Sequence, residues 1–219
     1  VELITQTTFS QAVVDLNANG QDRLLAASQE AASVYNSALD KFWDTLNKEK
    51  KWLNAYGIQA AIAGTKRTML HADSYIGSIQ QAYTAIASWK AAKKAYQKNP
   101  AKFTGEPRPP KEHKWTCPII FKKSAIRYKD RHLLLSLAKG QQPIKIRWSI
   151  EIGLPVYATI NCNPFRGWRG NFVFDRSIEQ GTFDPAKIMG IDLGVKRIAT
   201  TFDGERVITY SGKQIMSLV

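Results

Sequence analysis

Residues 187–212 read KIMGIDLGVKRIATTFDGERVITYSG. Ile188–Leu193 is a short apolar run with one carboxylate, Asp192, and Gly194 follows where a side chain would block close approach. Arg197–Phe202 leads into Asp203-Gly204, a strong hairpin-turn signal, and Val207–Tyr210 completes the hairpin. A lone Asp inside a buried apolar strand is costly unless it is paired or bound to a cation. Two readings of Asp192 fit the spacing: a metal-ligand carboxylate, or a strand-end Asp accepting from backbone N–H groups. Asp203 and Glu205 fall at the hairpin tip and read as turn residues.

Upstream of this stretch the apolar pattern keeps a period of two. Ile144, Ile146, Trp148, Ile150 and Ile152 alternate with Lys145, Arg147, Ser149 and Glu151, which predicts a strand with one buried face. His132–Leu137 is its expected partner, joined through Lys139-Gly140. Val156–Cys162 and Asn171–Phe174 predict a hairpin around Asn163–Gly170, and Gly105–Pro110, with three prolines, is a loop. Several short strands in succession suggest a sandwich or barrel. Before Asn99-Pro100 the period is helical. Leu24, Ala31, Tyr35, Leu39, Phe42 and Leu46 predict a helix from Gln21 to about Lys51. Ala55–Ala63 predicts a shorter one ending at Gly64. Ile76, Ile79, Tyr83, Ile86 and Trp89 predict a third, with Asp73 as N-cap and a basic end through Lys90, Lys93, Lys94 and Lys98. Glu2–Phe9 reads as a short strand and Asn17–Gly20 as a turn.

The 219 residues hold 31 Lys+Arg against 18 Asp+Glu, a net charge of +13, and 44% apolar residues, enough for a core. The longest uncharged run, Ser74–Trp89, is broken by Ser, Gly and Gln, so no membrane span is expected. No signal-peptide pattern opens the chain, and Val1 in place of Met points to a processed or excised chain. Cys117 and Cys162 are too few for a disulfide scaffold or a four-ligand zinc site. They read as small buried residues of a reduced, cytoplasmic protein. His71, His113 and His132 have no ligand partner at metal spacing. The charge is concentrated: residues 87–147 carry 16 Lys+Arg and 3 Asp+Glu, while both flanking segments are near neutral. Such clustering is the footprint of a phosphate-binding surface, although a solubility-driven surface or an acidic protein partner fits the charge too.

With these residues in hand, GIDLGVKRIAT and its Asp-Gly hairpin resemble the first RuvC motif of TnpB proteins and the related type V CRISPR effector nucleases. Earlier segments resemble the family in the same order. They are Val34–Leu39 (VYNSAL), the amphipathic helix over Ile79–Tyr96, the Gly105-Glu106-Pro107-Arg108 loop and the IKI strand within Pro143–Trp148. The resemblance implies an α+β fold: a helical lobe inserted in a wedge-type β-barrel, followed by the first strands of an RNase H-like (RuvC) fold. Residues 1–20 and 100–180 would form the wedge, 21–99 the helical recognition lobe, and 186–219 the start of the nuclease domain. The Glu2–Phe9 strand departs from the basic and aromatic residues usual there.

The resemblance also implies function: a guide RNA and target DNA as partners, with other transposon or CRISPR components, and a RuvC site using two Mg²⁺ ions. Hard oxygen ligands suit Mg²⁺, and Asp192 matches the first catalytic and metal-binding carboxylate. The family's later carboxylates, arginine-rich bridge segment and cysteine zinc ribbon have no room before Val219. The chain is therefore expected to be a fragment that does not cleave by itself. Nucleic-acid contacts are expected at Lys111, Lys114, Lys122, Lys123, Arg127, Lys129 and Arg131, which interleave with Trp115, Phe121 and Tyr128. Phe121 and Tyr128 read as core. Trp168, in Arg166–Gly170, either stacks on a base or folds back on the barrel. A catalytically inactive targeting or repressor protein of the same lineage is the alternative. The GIDLG motif also resembles the first phosphate loop of actin/Hsp70-like ATPases, but Val195-Lys196-Arg197 follows where Thr-rich phosphate contacts belong.

Overall fold

The computed structural model describes residues 3–12, 18–64, 67–163, 167–178, 189–193 and 197–211. After strand β1 (Leu3–Ala12), helix α1 runs over Ala18–Glu49. It starts inside the expected Asn17–Gly20 turn; Asn17 itself lies outside the described residues. Its buried stripe is Leu24, Ala27, Ala31, Val34, Tyr35, Ala38, Leu39 and Phe42, the three- and four-residue spacing of a helix with one face in a core. Lys50 takes φ 55°, a left-handed residue that ends the helix. Helix α2 spans Ala55–Ala61, with the Asn54 side chain accepting from the Gly57 N–H at 2.8 Å.

Helix α3 spans Ala72–Lys98. Its N-cap is His71, whose ring accepts from the Asp73 N–H, and not Asp73 as expected. Asp73 instead sits in the first turn, where a carboxylate suits the helix dipole, and it accepts from the Ser124 hydroxyl. Gly77 lets α3 approach the sheet: a Cβ there would lie 3.0 Å from the Cβ of Ile120. The loop before α3 is held by Glu30 on α1. Its carboxylate accepts from the Thr68 hydroxyl and from the N–H groups of Thr68, Met69 (2.7 Å) and Leu70.

The strands that follow are short: β2 (Ile119–Lys122), β3 (Ile126–Lys129), β4 (His132–Leu135), β5 (Ile144–Arg147), β6 (Tyr157–Asn163) and β7 (Gly167–Ile178). With β1 they form two sheets, β1-β7-β6-β2 and β3-β4-β5, in which β2–β6, β6–β7, β3–β4 and β4–β5 pair antiparallel. The expected barrel does not close among the described residues. A 3-10 turn at Lys123–Ala125 separates β2 from β3, and no ladder links the two sheets among the described residues. The expected Ile144–Ile152 strand stops at Arg147, because Ile150–Ile152 form a 3-10 turn and Ile150 is exposed. The expected β6–β7 hairpin forms with a shorter loop, since Asn163 pairs with Gly167. Trp168 is half-buried and packs against the core, the folding-back alternative. Arg166 lies outside the described residues. Trp148 joins the two sheets, its ring 4.7 Å from Phe172. Together with α1 and α3 they bury one apolar cluster that includes Phe121, Leu133, Leu135, Ile144, Ile146, Ile160 and Phe172. Burying each such side chain contributes roughly 1.5–3 kcal/mol.

The chain divides into two compact units, Thr5–Arg176 and residues 1–4 with 177–219. In the second, β8 (Gly190–Leu193), β9 (Arg197–Phe202) and β10 (Val207–Ser211) form an antiparallel meander in the order β10-β9-β8. Its tip is the expected Asp203-Gly204 turn, with Gly204 at φ 100°. Among the described residues no helix is long and apolar enough to cross a membrane.

Candidate nucleic-acid interface

Alternation in the β3-β4-β5 sheet decides where its charges go. Ile126, Leu135 and Ile144 lie opposite one another, as do Tyr128, Leu133 and Ile146. These rows face the core. The intervening rows are Arg127–Leu134–Lys145 and Lys129–His132–Arg147. Directly opposed residues share a face, so Arg127, Lys129, Lys145 and Arg147 stand together on the solvent side, all exposed. Strand spacing puts the outer pairs about 10 Å apart, and successive same-face residues about 7 Å apart. The sheet strands contain no Asp or Glu, and none of the four cations forms an ion pair among the described residues.

The two-residue turn between β3 and β4 is Asp130-Arg131, with φ 50° and 58°. That is the backbone of a type I′ hairpin, which usually takes Asn-Gly or Asp-Gly. Holding an Arg there costs about 1–2 kcal/mol. The Arg131 carbonyl accepts from the Trp148 N–H at 2.9 Å, tying the turn to the segment after β5.

The remaining expected contact residues lie elsewhere. Lys122 is half-buried against α3, its Nζ donating to Gln80 Oε1 at 3.2 Å, and Lys123 is exposed in the 3-10 turn. Lys111 and Lys114 are exposed on the extended segment before β2, next to Trp115, which is 78% exposed. Phe121 is fully buried and Tyr128 half-buried against the core, as expected for both. So the structure brings Arg127 and Lys129 together with Arg131 at the sheet's end, and sets Lys111, Lys114, Lys122 and Lys123 on other elements. Lys145 and Arg147 are missing from the expected set. The signal was in the sequence: their alternation with Ile144 and Ile146, combined with the His132–Leu137 partner strand.

The segment carrying Lys111 and Lys114 is positioned by uncharged groups. Burial lowers the pKa of His113, and Tyr35, whose ring lies 4.5 Å from it, is raised by burial and then by Cys117. Cys117 is buried and its thiol is pushed up to about 12, which makes it inert. Cys162, expected to be buried, is instead exposed, because it lies near the free end of the β6–β7 hairpin opposite Trp168. On the same hairpin Asn161 and Arg169 are paired in register, and the buried Oδ1 of the one and Nε of the other have no hydrogen-bond partner among the described residues.

Asp192 lies opposite Thr200 in the meander. The expected buried strand is not found: all four residues of β8 are exposed, Leu193 by 76%, because no second layer covers the sheet within this unit's described residues. Asp203 Oδ1 accepts from the Glu205 and Arg206 N–H groups at 3.0 and 2.7 Å. These bonds, Arg206 first, hold its carboxyl below the usual range, as befits a turn residue. Among the described residues no three His, Cys, Asp or Glu side chains converge to hold a metal. Asp192 offers one hard oxygen ligand, which does not make a two-cation site.

No protein-family model and no curated protein matches the chain. Solved structures similar to it include two complexes. One is a cryo-EM structure of a CRISPR-Cas12f ternary complex, with a TM-score of 0.44 and 15% identity over 91% of this chain and 49% of that one. The other is a cryo-EM structure of a Cas12f1–sgRNA–target DNA complex, with a TM-score of 0.40 and 14% identity over 98% and 59%. The chain spans less than two thirds of either of these chains.

Proposed function

We propose that the chain is the RNA- and DNA-binding portion of an RNA-guided nuclease of the TnpB and type V CRISPR effector kind. The observation that carries this reading is the face formed by Arg127, Lys129, Lys145 and Arg147, four exposed cations on three paired strands without an Asp or Glu. Neutralising phosphates releases counterions, and this term dominates non-specific nucleic-acid binding. The order of VYN, GEPR, IKI and GIDLG along the chain supports the family assignment, and the IKI strand is β5, which supplies Lys145. The partners proposed are a guide RNA and target DNA, in the cytoplasm, with other transposon or CRISPR components. Asp192 is proposed as one carboxylate of a Mg²⁺ site that needs further ligands.

The test is binding of a structured RNA and a DNA duplex by fluorescence anisotropy across salt concentrations. Affinity should fall steeply with salt, by ~0.7–0.9 log units per log unit of salt for each phosphate contact. Reversing Arg127, Lys129, Lys145 and Arg147 to Glu should weaken binding at least tenfold and flatten the salt slope. Salt-insensitive binding, or full affinity in the reversed protein, would defeat the proposal.

A further inference from the structure

At the end of the β3-β4-β5 sheet, beyond its four-cation face, lies a cleft of 380 Å³. Tyr128, Arg131, Arg147, Trp148, Ser149 and Glu151 line it, with Ile150 at the rim. Two of these groups build the wall. Trp148 is buried and donates from Nε1 to the Gly153 carbonyl at 2.9 Å. The Ser149 hydroxyl accepts from the Glu151 N–H, closing the 3-10 turn. Of the lining residues, Arg131, Arg147, Tyr128 and Glu151 remain to supply groups for a ligand. Neither Arg nor Glu151 forms an ion pair among the described residues.

A carboxylate is out of place on a surface that only gathers phosphates, because it repels them. It belongs where a ligand brings donors. At neutral pH it is acceptor-only, with two oxygens side by side. Guanine presents two adjacent donors on its Watson–Crick edge, the ring N1–H and the exocyclic amino group. Adenine and cytosine set a single amino group beside an acceptor nitrogen, and uracil sets one N–H between two carbonyls. Guanine also offers O6 and N7 to a guanidinium. The second guanidinium is left for the nucleotide's phosphate, as charge-assisted Arg–phosphate pairs are strong and directional. Tyr128 adds a half-buried ring on which an unstacked base can rest. We propose that this cleft takes one unpaired guanine nucleotide of the bound strand, read by Glu151 and one of the two arginines. The inference rests on the nucleic-acid reading of the adjoining sheet face.

The test compares anisotropy titrations of the full chain with short oligouridylates carrying one central guanosine, adenosine or inosine, at fixed salt. A parallel series uses oligothymidylates carrying the deoxynucleosides. Guanosine should bind about fivefold or more tighter than adenosine. Inosine, which lacks the amino group, should fall between them. Glu151→Gln should erase the guanine preference, and because it removes a carboxylate that repels phosphate it should not weaken binding of plain oligouridylate. Glu151 is exposed and only its backbone serves the turn, so this variant keeps its fold. A preference in the ribose series alone assigns the site to RNA, in the deoxy series alone to DNA, and in both to the base itself. Equal affinity for guanosine and adenosine with normal salt dependence overturns the guanine site alone. So does a preference that survives Glu151→Gln. Absence of affinity for every oligonucleotide overturns both this site and the nucleic-acid reading beneath it.

Discussion

The carboxamide of Asn36 pairs with both backbone groups of His113: Nδ2 donates to the carbonyl and Oδ1 accepts from the N–H, each at 2.9 Å. A side chain on α1 thus does for an extended segment what a neighbouring strand would do. Near the other end of that segment, Ser28 makes a similar double contact with Cys117. Its hydroxyl donates to the Cys117 carbonyl at 2.6 Å, and its carbonyl accepts from the Cys117 N–H at 3.1 Å. Ser28 and Asn36 lie on one side of the helix, so α1 anchors the stretch that carries Lys114 and Trp115.

Asn36→Ala leaves both His113 backbone groups without this partner in a half-buried setting. The expected loss is about 1–3 kcal/mol of stability, read by urea denaturation. Asn36→Asp keeps the acceptor but sets a second acceptor oxygen against the His113 carbonyl, so it should lose at least as much. A loss smaller than about 0.5 kcal/mol, below the range for one hydrogen bond, would mean that other contacts hold the segment.

Acid should destabilise the protein through His113. Burial lowers its folded pKa, whereas the unfolded chain takes up a proton near the ordinary value of about 6.5. The unfolded state therefore binds more protons in that window. Stability is fully present above pH ~6.5 and falls as pH drops through the lowered folded pKa. His113→Phe keeps a ring against Tyr35 and should flatten this part of the profile. The check is denaturant midpoints between neutral and mildly acidic pH; identical slopes for the two proteins would refute it.

Arg131→Gly should stabilise the fold by about 1 kcal/mol, because glycine takes φ 58° without the Cβ penalty. The same change removes one guanidinium from the cleft and should weaken nucleic-acid binding. The two effects have opposite signs, so thermal denaturation and anisotropy on one variant test them together. Lower stability in Arg131→Gly would show that the side chain holds the turn.

Much of the architecture is legible in the residue pattern. The period of Leu24, Ala31, Tyr35, Leu39 and Phe42 requires a helix with one buried face, and the alternation from Ile144 to Arg147 requires a strand. Asp203-Gly204 marks its turn, and the charge count locates the basic segment. These are local properties: side-chain direction repeats with the backbone geometry of each element, so neighbours in sequence suffice. The end of β5 at Arg147 and the separation of the sheets at Lys123–Ala125 depend on what each strand finds beside it. The exposure of Cys162 and of all of β8 likewise depends on layers that sequence neighbours do not specify.

The candidate site divides in the same way. The sequence by itself determined which residues could meet phosphates: a basic stretch with Arg127, Lys129, Arg131, Lys145 and Arg147 at alternating positions. Only the tertiary structure decided that these five gather on one sheet face and its end, while Lys111, Lys114, Lys122 and Lys123 lie on other elements. Register across a ladder is set by burying one face of all three strands at once. A one-residue slip would send every cation to the core side. The partners Leu134 and His132 that bring β3 and β5 into line are therefore chosen by the core, and the charged face is its consequence.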